Sequence, residues 1–323
     1  MEGPSKTKMI EMYTYLLRAR RNEERYIEMT ASGVSPTWIH SELGQESVGV
    51  GVALATSPQD YLTYNHRGRS ILEPRGVDLR RFMAQFLCRK DGLLGGKLGE
   101  FFVNDFEHGV VQSTCLIGDS IPFATGLALS CQYKGTDQVT VALFGDGCVD
   151  SGLFHESLNV AALWKLPVVY ICCNNGWAEF TPQELTASIT DVYKKAAGYG
   201  MPGLKVDGTD VLAVHKAASK FITAAREGKG PSLLECKCNR WEGHFYGDPQ
   251  RYRDPKDIEE ARKNDPLAKL QEKLLKQGIL TEKLIDEIEQ KSKADLAEAV
   301  AFAENSPPPA AEAVTEHVYY EGD

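Results

Sequence analysis

The chain has 323 residues, 42% hydrophobic and 25% charged, enough to bury the core of one large α/β domain. Its formal net charge of −9 argues against a general nucleic-acid binder, which needs clustered Lys and Arg, and it has no apolar run of about 18 residues such as a membrane-spanning helix requires. Eight cysteines lie mostly within apolar runs and form no paired CxxC motifs, so they read as small buried hydrophobes of a reducing compartment, not as disulfides or zinc ligands. The opening Met-Glu-Gly-Pro-Ser-Lys-Thr-Lys has no apolar signal core and little transit-peptide character, which makes a cytoplasmic enzyme the default expectation.

Residues 6–32 show helical spacing, with Met9, Tyr13, Leu16 and Leu17 on one face, and Gly33 and Pro36 break the pattern. A small, apolar helix is expected over 44–55, a short strand over 60–64 running into a loop at His66, and a helix over 80–87 before a Gly-rich passage at 92–99. Residues 122–133, rich in Ala, Gly and Leu, read as a buried helix. Next come a buried strand at 139–144, a helix at 152–165 and a second buried strand at 166–173. Beyond Pro182 the pattern gives a short helix or ordered loop at 190–198, a strand at 204–206, a helix at 211–227 and a strand at 232–239. Past Pro255 the composition shifts to Lys, Glu, Ala and Leu, predicting helices over 255–263, 266–277 and 281–304 and an extended Pro307-Pro308-Pro309 tail. The expected organisation is an α/β domain over 1–254, a mostly parallel sheet flanked by helices, with a helical extension of the same domain over 255–323.

Gly145-Asp146-Gly147 closes the first buried strand, and Asn174-Asn175 closes the second, with Asn175 lying 29 residues after Asp146. One strand-helix-strand unit has that length, so both polar pairs are expected at carboxyl ends of neighbouring parallel strands, where open α/β sheets bind ligands. Asp-Gly and Asn-Gly are also ordinary turns. Correct spacing of both, each after a buried strand, favours a site. A Mg²⁺ ion takes oxygen ligands, usually one or two from protein and the rest from phosphates and water, and Asp146, the Asn175 side chain and a loop carbonyl near Trp177 would supply half its shell.

The stretch from Gly145 to Pro182, with Phe-His-Glu-Ser-Leu-Asn-Val-Ala-Ala-Leu-Trp-Lys-Leu-Pro between the pairs, resembles the alpha subunits of thiamine-diphosphate-dependent 2-oxo acid and acetoin dehydrogenases. The resemblance extends from about Met9 to Asn305 and takes in His40-Ser-Glu-Leu-Gly-Gln-Glu46, His66-Arg-Gly68, Ile117-Gly-Asp-Ser-Ile-Pro122, Pro202-Gly-Leu-Lys-Val-Asp-Gly208 and Gly243-His-Phe-Tyr-Gly-Asp-Pro-Gln-Arg-Tyr-Arg253. It implies the diphosphate-binding half of the thiamine-diphosphate fold, with thiamine diphosphate and Mg²⁺ as cofactors. His40 and His244 would border the reacting thiazolium carbon, Arg67 would bind the diphosphate, and His66 would stand beside diphosphate and substrate. Cys115 and Ile117 match positions that grip the aminopyrimidine; plain core is the alternative for both, and for Ile117 the two readings are compatible. Gly147 and Cys148 would offer main-chain amides to the diphosphate, near the positive end of the helix beginning at Gly152. His108, His155, His215 and His317 match no catalytic position.

The resemblance further implies that a beta subunit supplies the pyrimidine-binding domain, giving an α₂β₂ assembly. It implies cleavage of a 2-oxo acid or acetoin, the acyl fragment passing to a lipoyl group on an acyltransferase. A two-carbon transferase delivering to a carrier protein, or a non-catalytic scaffold, are the alternatives. The chain also departs from its relatives. His66-Arg67-Gly68-Arg69-Ser70-Ile71 stands where the acetoin branch has His-Arg-Gly-His-Gly-His, and Leu98-Gly99-Glu100-Phe101-Phe102 stands where Gly-Gly-Ser-Met-His is usual. These changes predict retained cofactor binding with altered donor specificity, Arg69 facing a carboxylate or phosphate of the donor.

Overall fold

In the computed structural model, which describes residues 3–319, six parallel strands form one sheet in the order β2-β1-β3-β4-β8-β7. They are β1 (Tyr61–Asn65), β2 (Val110–Thr114), β3 (Thr140–Gly145), β4 (Val168–Asn174), β7 (Gly203–Asp207) and β8 (Ser232–Lys237). A separate two-residue hairpin pairs β5 (Trp177–Ala178) with β6 (Thr181–Pro182).

Central strands buried on both faces read as unbroken apolar runs, and β3 and β4 are of that kind. Side chains alternate between two cores: Val141, Leu143, Val169 and Ile171 point into one, Ala142, Phe144, Val168, Tyr170 and Cys172 into the other. The second core is closed by α4 (Ser120–Lys134), α5 (Gly152–Trp164) and a 3₁₀ segment at Val192–Tyr199 through Ile121, Ala124, Phe154, Leu158 and Val192. The first is closed by α2 (Glu46–Ala53), α3 (Leu79–Phe86) and α6 (Val211–Arg226) through Val48, Phe82, Phe86 and Phe221.

The long first helix, α1 (Lys6–Ala31), starts at Ser5, whose hydroxyl accepts from the Lys8 amide at 3.2 Å. Its Tyr13, Leu16 and Leu17 pack with Leu267, Leu270 and Leu274 of α8 (Pro266–Lys276). Asp254, Asp265 and Thr281 cap α7 (Pro255–Lys263), α8 and α9 (Glu282–Asn305), the first two followed by Pro at the first helical position. Ala299, Val300 and Ala303 of α9 join the same core as Phe82 and Phe86 of α3, so the helical extension is seated on the sheet layer. Among the described residues no helix is long and apolar enough to cross a membrane.

The expected helices and strands are present within a few residues of their anticipated ends. One strand and the β5–β6 hairpin were not anticipated. β2 is Val-Val-Gln-Ser-Thr, five residues whose Ser113 and Thr114 are buried without forming an apolar run, and it sits at the sheet edge beside β1.

Candidate active site

The carboxyl ends of β1, β3 and β4 lie side by side, Gly145 in register with Cys173, and the loops leaving them enclose a cavity of about 310 Å³. His40, His66, Arg67, Cys115, Ile117, Asp146, Gly147, Cys148, Asn175, Trp177 and His244 all line it. Asp146 and Asn175 face the same crevice: the Asn175 amide donates to Asp146 Oδ1 at 3.1 Å. The Asn175 side chain is itself oriented, its Nδ2 donating to Gln45 Oε1 at 3.0 Å and its Oδ1 accepting from the Trp177 amide at 3.1 Å. Asp146 Oδ2 is buried with no hydrogen-bond partner. Burial pushes the Asp146 carboxyl up to about 6. An unpartnered buried carboxylate oxygen is costly unless a cation or donor meets it.

No cluster of three or more His, Cys, Asp or Glu suited to a metal occurs among the described residues. A cation here would therefore rest on one carboxylate, one amide and main-chain oxygen, a hard-oxygen set that fits Mg²⁺ and not Zn²⁺.

Across the cavity three imidazoles converge. The His40 ring lies 4.5 Å from His66 and 4.8 Å from His244, centroid to centroid. All three are held neutral: burial, then the Arg67 charge, brings His40 down to about 2 and His244 to about 4, and drives His66 well below its usual value. His40 Nδ1 has no partner. Arg67 donates to His66 Nε2 at 2.9 Å, to the Ser41 carbonyl at 3.2 Å and to the His244 carbonyl, all uncharged acceptors. Burial, followed by repulsion from Arg240 and Arg69, lowers the Arg67 guanidinium to about 9.

Arg240 was not anticipated. It is 1% exposed, its Nε and Nη1 have no partner, and only Nη2 is satisfied, by the Glu179 carbonyl at 3.0 Å and the Tyr252 hydroxyl at 2.9 Å. Arg67 lines the cavity with Asp146 and Glu179, while Arg240 lies behind the lining, its guanidinium 6.0 Å from the centroid of the Trp177 ring. The unpartnered Asp146 Oδ2 and the Arg67 guanidinium, which has no carboxylate partner, fit a metal-bound diphosphate.

One expectation needs correction. Arg69 does not line the cavity: its side chain is 3% exposed and paired with Glu23 at 2.8 Å and Glu100 at 3.0 Å, because buried carboxylates neutralise a buried cation better than the adjoining pocket would. It therefore cannot meet a donor carboxylate or phosphate. Ile117 is 54% exposed and lines the cavity, so it is not plain core. Cys148 offers only main chain, its thiol donating inward to the Gly145 carbonyl at 3.1 Å. His108, His155, His215 and His317 lie outside the cavity lining.

The chain is similar to known proteins over most of its length. The family described as dehydrogenase E1 component matches residues 14–312. The alpha subunit of acetoin:2,6-dichlorophenolindophenol oxidoreductase from Bacillus subtilis is 39% identical over 95% of this chain and 93% of its own length. Its counterpart from Cupriavidus necator is 36% identical over 97% and 95%, and the pyruvate dehydrogenase E1 component subunit alpha of Porphyra purpurea is 33% identical over 94% and 91%.

Proposed function

Since the chain belongs to the dehydrogenase E1 component family, we propose that it is the alpha subunit of a thiamine-diphosphate-dependent enzyme that cleaves acetoin or a 2-oxo acid. The observation that carries this reading is the pairing of Asp146 and Asn175 in one crevice, with Asp146 Oδ2 unpartnered and the Arg67 guanidinium lining the same cavity. Asp146, the Asn175 amide oxygen and main chain near Trp177 would hold Mg²⁺. Arg67, Arg240 and the amides of Gly147 and Cys148 would hold the diphosphate, and Cys115 and Ile117 would flank the pyrimidine. Thiamine diphosphate, when bound, supplies a carbon nucleophile and an electron sink for cleaving the bond next to a carbonyl.

The chain's own part is binding, orientation and proton handling. Neutral His40 has an unpartnered Nδ1 to offer a donor's carbonyl or hydroxyl, while Arg67 holds one ring nitrogen each of His66 and His244. With Arg69 withdrawn into ion pairs, His40, His66 and His244 are the imidazoles that line the cavity on the donor's side.

A beta subunit completes the site in this proposal. Ile117 and Leu116 at the cavity rim, Phe123 and Tyr133 on α4, and Leu153 and Trp164 on α5 are all exposed by 42% or more, an apolar surface that supports an α₂β₂ assembly. We place the assembly in the cytoplasm, in keeping with eight free thiols.

Co-expression with the beta subunit and a donor screen against an artificial electron acceptor tests the reading: acetoin or a 2-oxo acid should be turned over only with thiamine diphosphate and Mg²⁺. Turnover of neither, with no metal-dependent cofactor binding by calorimetry, would leave a scaffold subunit. A lipoyl domain and a phosphopantetheinyl carrier, offered in parallel, separate dehydrogenase from transferase.

A further inference from the structure

The most completely bonded side chain near the cavity does not touch it. Arg69 has five N–H donors, and all five are used. Nε and Nη2 grip Glu23 of α1 at 2.8 and 3.0 Å; Nη2 also donates to the His40 carbonyl at 2.8 Å; Nη1 donates to the His66 carbonyl at 2.6 Å and to Glu100 at 3.0 Å. The guanidinium thus ties four segments together: the first helix, the two loops that carry His40 and His66, and the Gly-rich passage that ends at Glu100. Its partners are as buried as it is, Glu23 at 3% exposure and Glu100 at 0%.

Glu100 in turn places its neighbour. Phe101 stands edge-on to the His40 ring, 5.5 Å between centroids. The loop before it is fastened a second time by Gln85, which is fully buried; its Nε2 donates to the Gly99 carbonyl at 2.7 Å, and its Oε1 accepts from the Leu94 amide at 2.9 Å. His40 is consequently confined by its own main chain on one side and by the Phe101 ring on the other, while its Nδ1 forms no bond that would orient it. Packing and main-chain anchoring do the work that a side-chain hydrogen bond commonly does.

We propose that Arg69 and Glu100 form a positioning pair for the reaction: the guanidinium pins the main chain of the His40 and His66 loops and, through Glu100, sets Phe101 against the His40 imidazole. The two departures from the family pattern, a cation in one loop and a carboxylate in another, are then one feature. This inference rests on the reading of His40 as a group facing the reacting carbon. A lysine would not serve in place of Arg69, because a single ammonium on a flexible stem cannot span four segments with fixed geometry.

The test uses the co-expressed assembly. Glu100→Ala leaves Arg69 paired with Glu23, so the fold should survive, whereas Glu100→Gln keeps an acceptor for Nη1. Glu100→Ala should lower kcat by roughly 10- to 100-fold, the scale on which small misplacements act. KM and thiamine diphosphate affinity should stay within about threefold, and Glu100→Gln should recover most of kcat. Hydrogen exchange provides a readout independent of turnover: amides of 38–42 and 64–68 should exchange faster in Glu100→Ala and Arg69→Lys, and as in the unaltered chain in Glu100→Gln. An unaltered assembly inactive on every donor would defeat the functional reading while leaving exchange to judge the positioning. Unchanged exchange in those loops overturns the proposal. So does a parallel fall in kcat, cofactor affinity and whole-molecule protection, which would make the pair merely structural.

Discussion

Replacing Arg240 by Met should strengthen the empty fold and weaken its hold on the cofactor. Arg240 is 1% exposed, and two of its donor nitrogens, Nε and Nη1, meet nothing. Each orphaned donor costs about 1–3 kcal/mol, and the two bonds made by Nη2 return about 1 kcal/mol apiece. A flexible apolar side chain of similar length removes both penalties together with the desolvation of the charge, and such replacements of buried ions are neutral to stabilising by about 1–4 kcal/mol. We expect a gain of about 1–2 kcal/mol for the cofactor-free assembly, seen as a rise of roughly 1–3 °C in the thermal midpoint with a chelator present. Against the diphosphate the sign reverses. One or two charge-assisted bonds at about 1.5–3 kcal/mol each disappear, so calorimetric titration with thiamine diphosphate and Mg²⁺ should show affinity reduced at least about tenfold. An Arg240→Met assembly that is less stable when empty, or that binds the cofactor as tightly as before, would refute the argument that these nitrogens await an anion.

Other outcomes follow from the same geometry. Asp146→Asn keeps an acceptor for the Asn175 amide but removes the oxygen available to a cation, so thiamine diphosphate binding should lose its dependence on added Mg²⁺ and fall to the level measured in chelator. His40 and His244 are held at about 2 and about 4, below the unfolded value near 6.5, so the unfolded chain takes up protons that the folded chain refuses. Their contribution should therefore lower stability as pH falls from 6.5 towards 4, and NMR titration should show both rings neutral at pH 6; charging near 6.5 would contradict the burial argument. At Gly203 an added Cβ would stand 2.2 Å from the Tyr193 carbonyl oxygen, so Gly203→Ala should cost about 1–3 kcal/mol in urea denaturation by pushing the Val192–Tyr199 segment off β7.

The strand-helix-strand unit was legible because β3 and β4 are buried on both faces, which leaves an apolar run that no surface element imitates, and because polar residues end each run at a fixed distance. Asp146 and Asn175 followed from that. His40, His66, Arg67 and His244 came from motif resemblance, as nothing in their local sequence separates them from solvated loop residues. Arg240 escaped because Cys238-Asn-Arg-Trp241 has no periodicity, and its burial arises only when the Glu179 loop and Tyr252 fold over it. Arg69 was correctly placed in a loop beside the site but wrongly aimed. A side chain's direction depends on partners such as Glu23 and Glu100, which lie 46 and 31 residues away in sequence.

The strand order has a consequence for how the protein is made. β8 is inserted between β4 and β7, yet it begins at Ser232, so on the ribosome the hydrogen-bonding edge of β4 waits until some sixty further residues have emerged. During that interval Val168 to Asn174 is an apolar strand with one open flank, the kind of segment that recruits neighbouring nascent chains. Chaperone demand in this chain should therefore centre on the middle of translation, and slowing elongation between β4 and β8 should lengthen the vulnerable period and lower soluble yield.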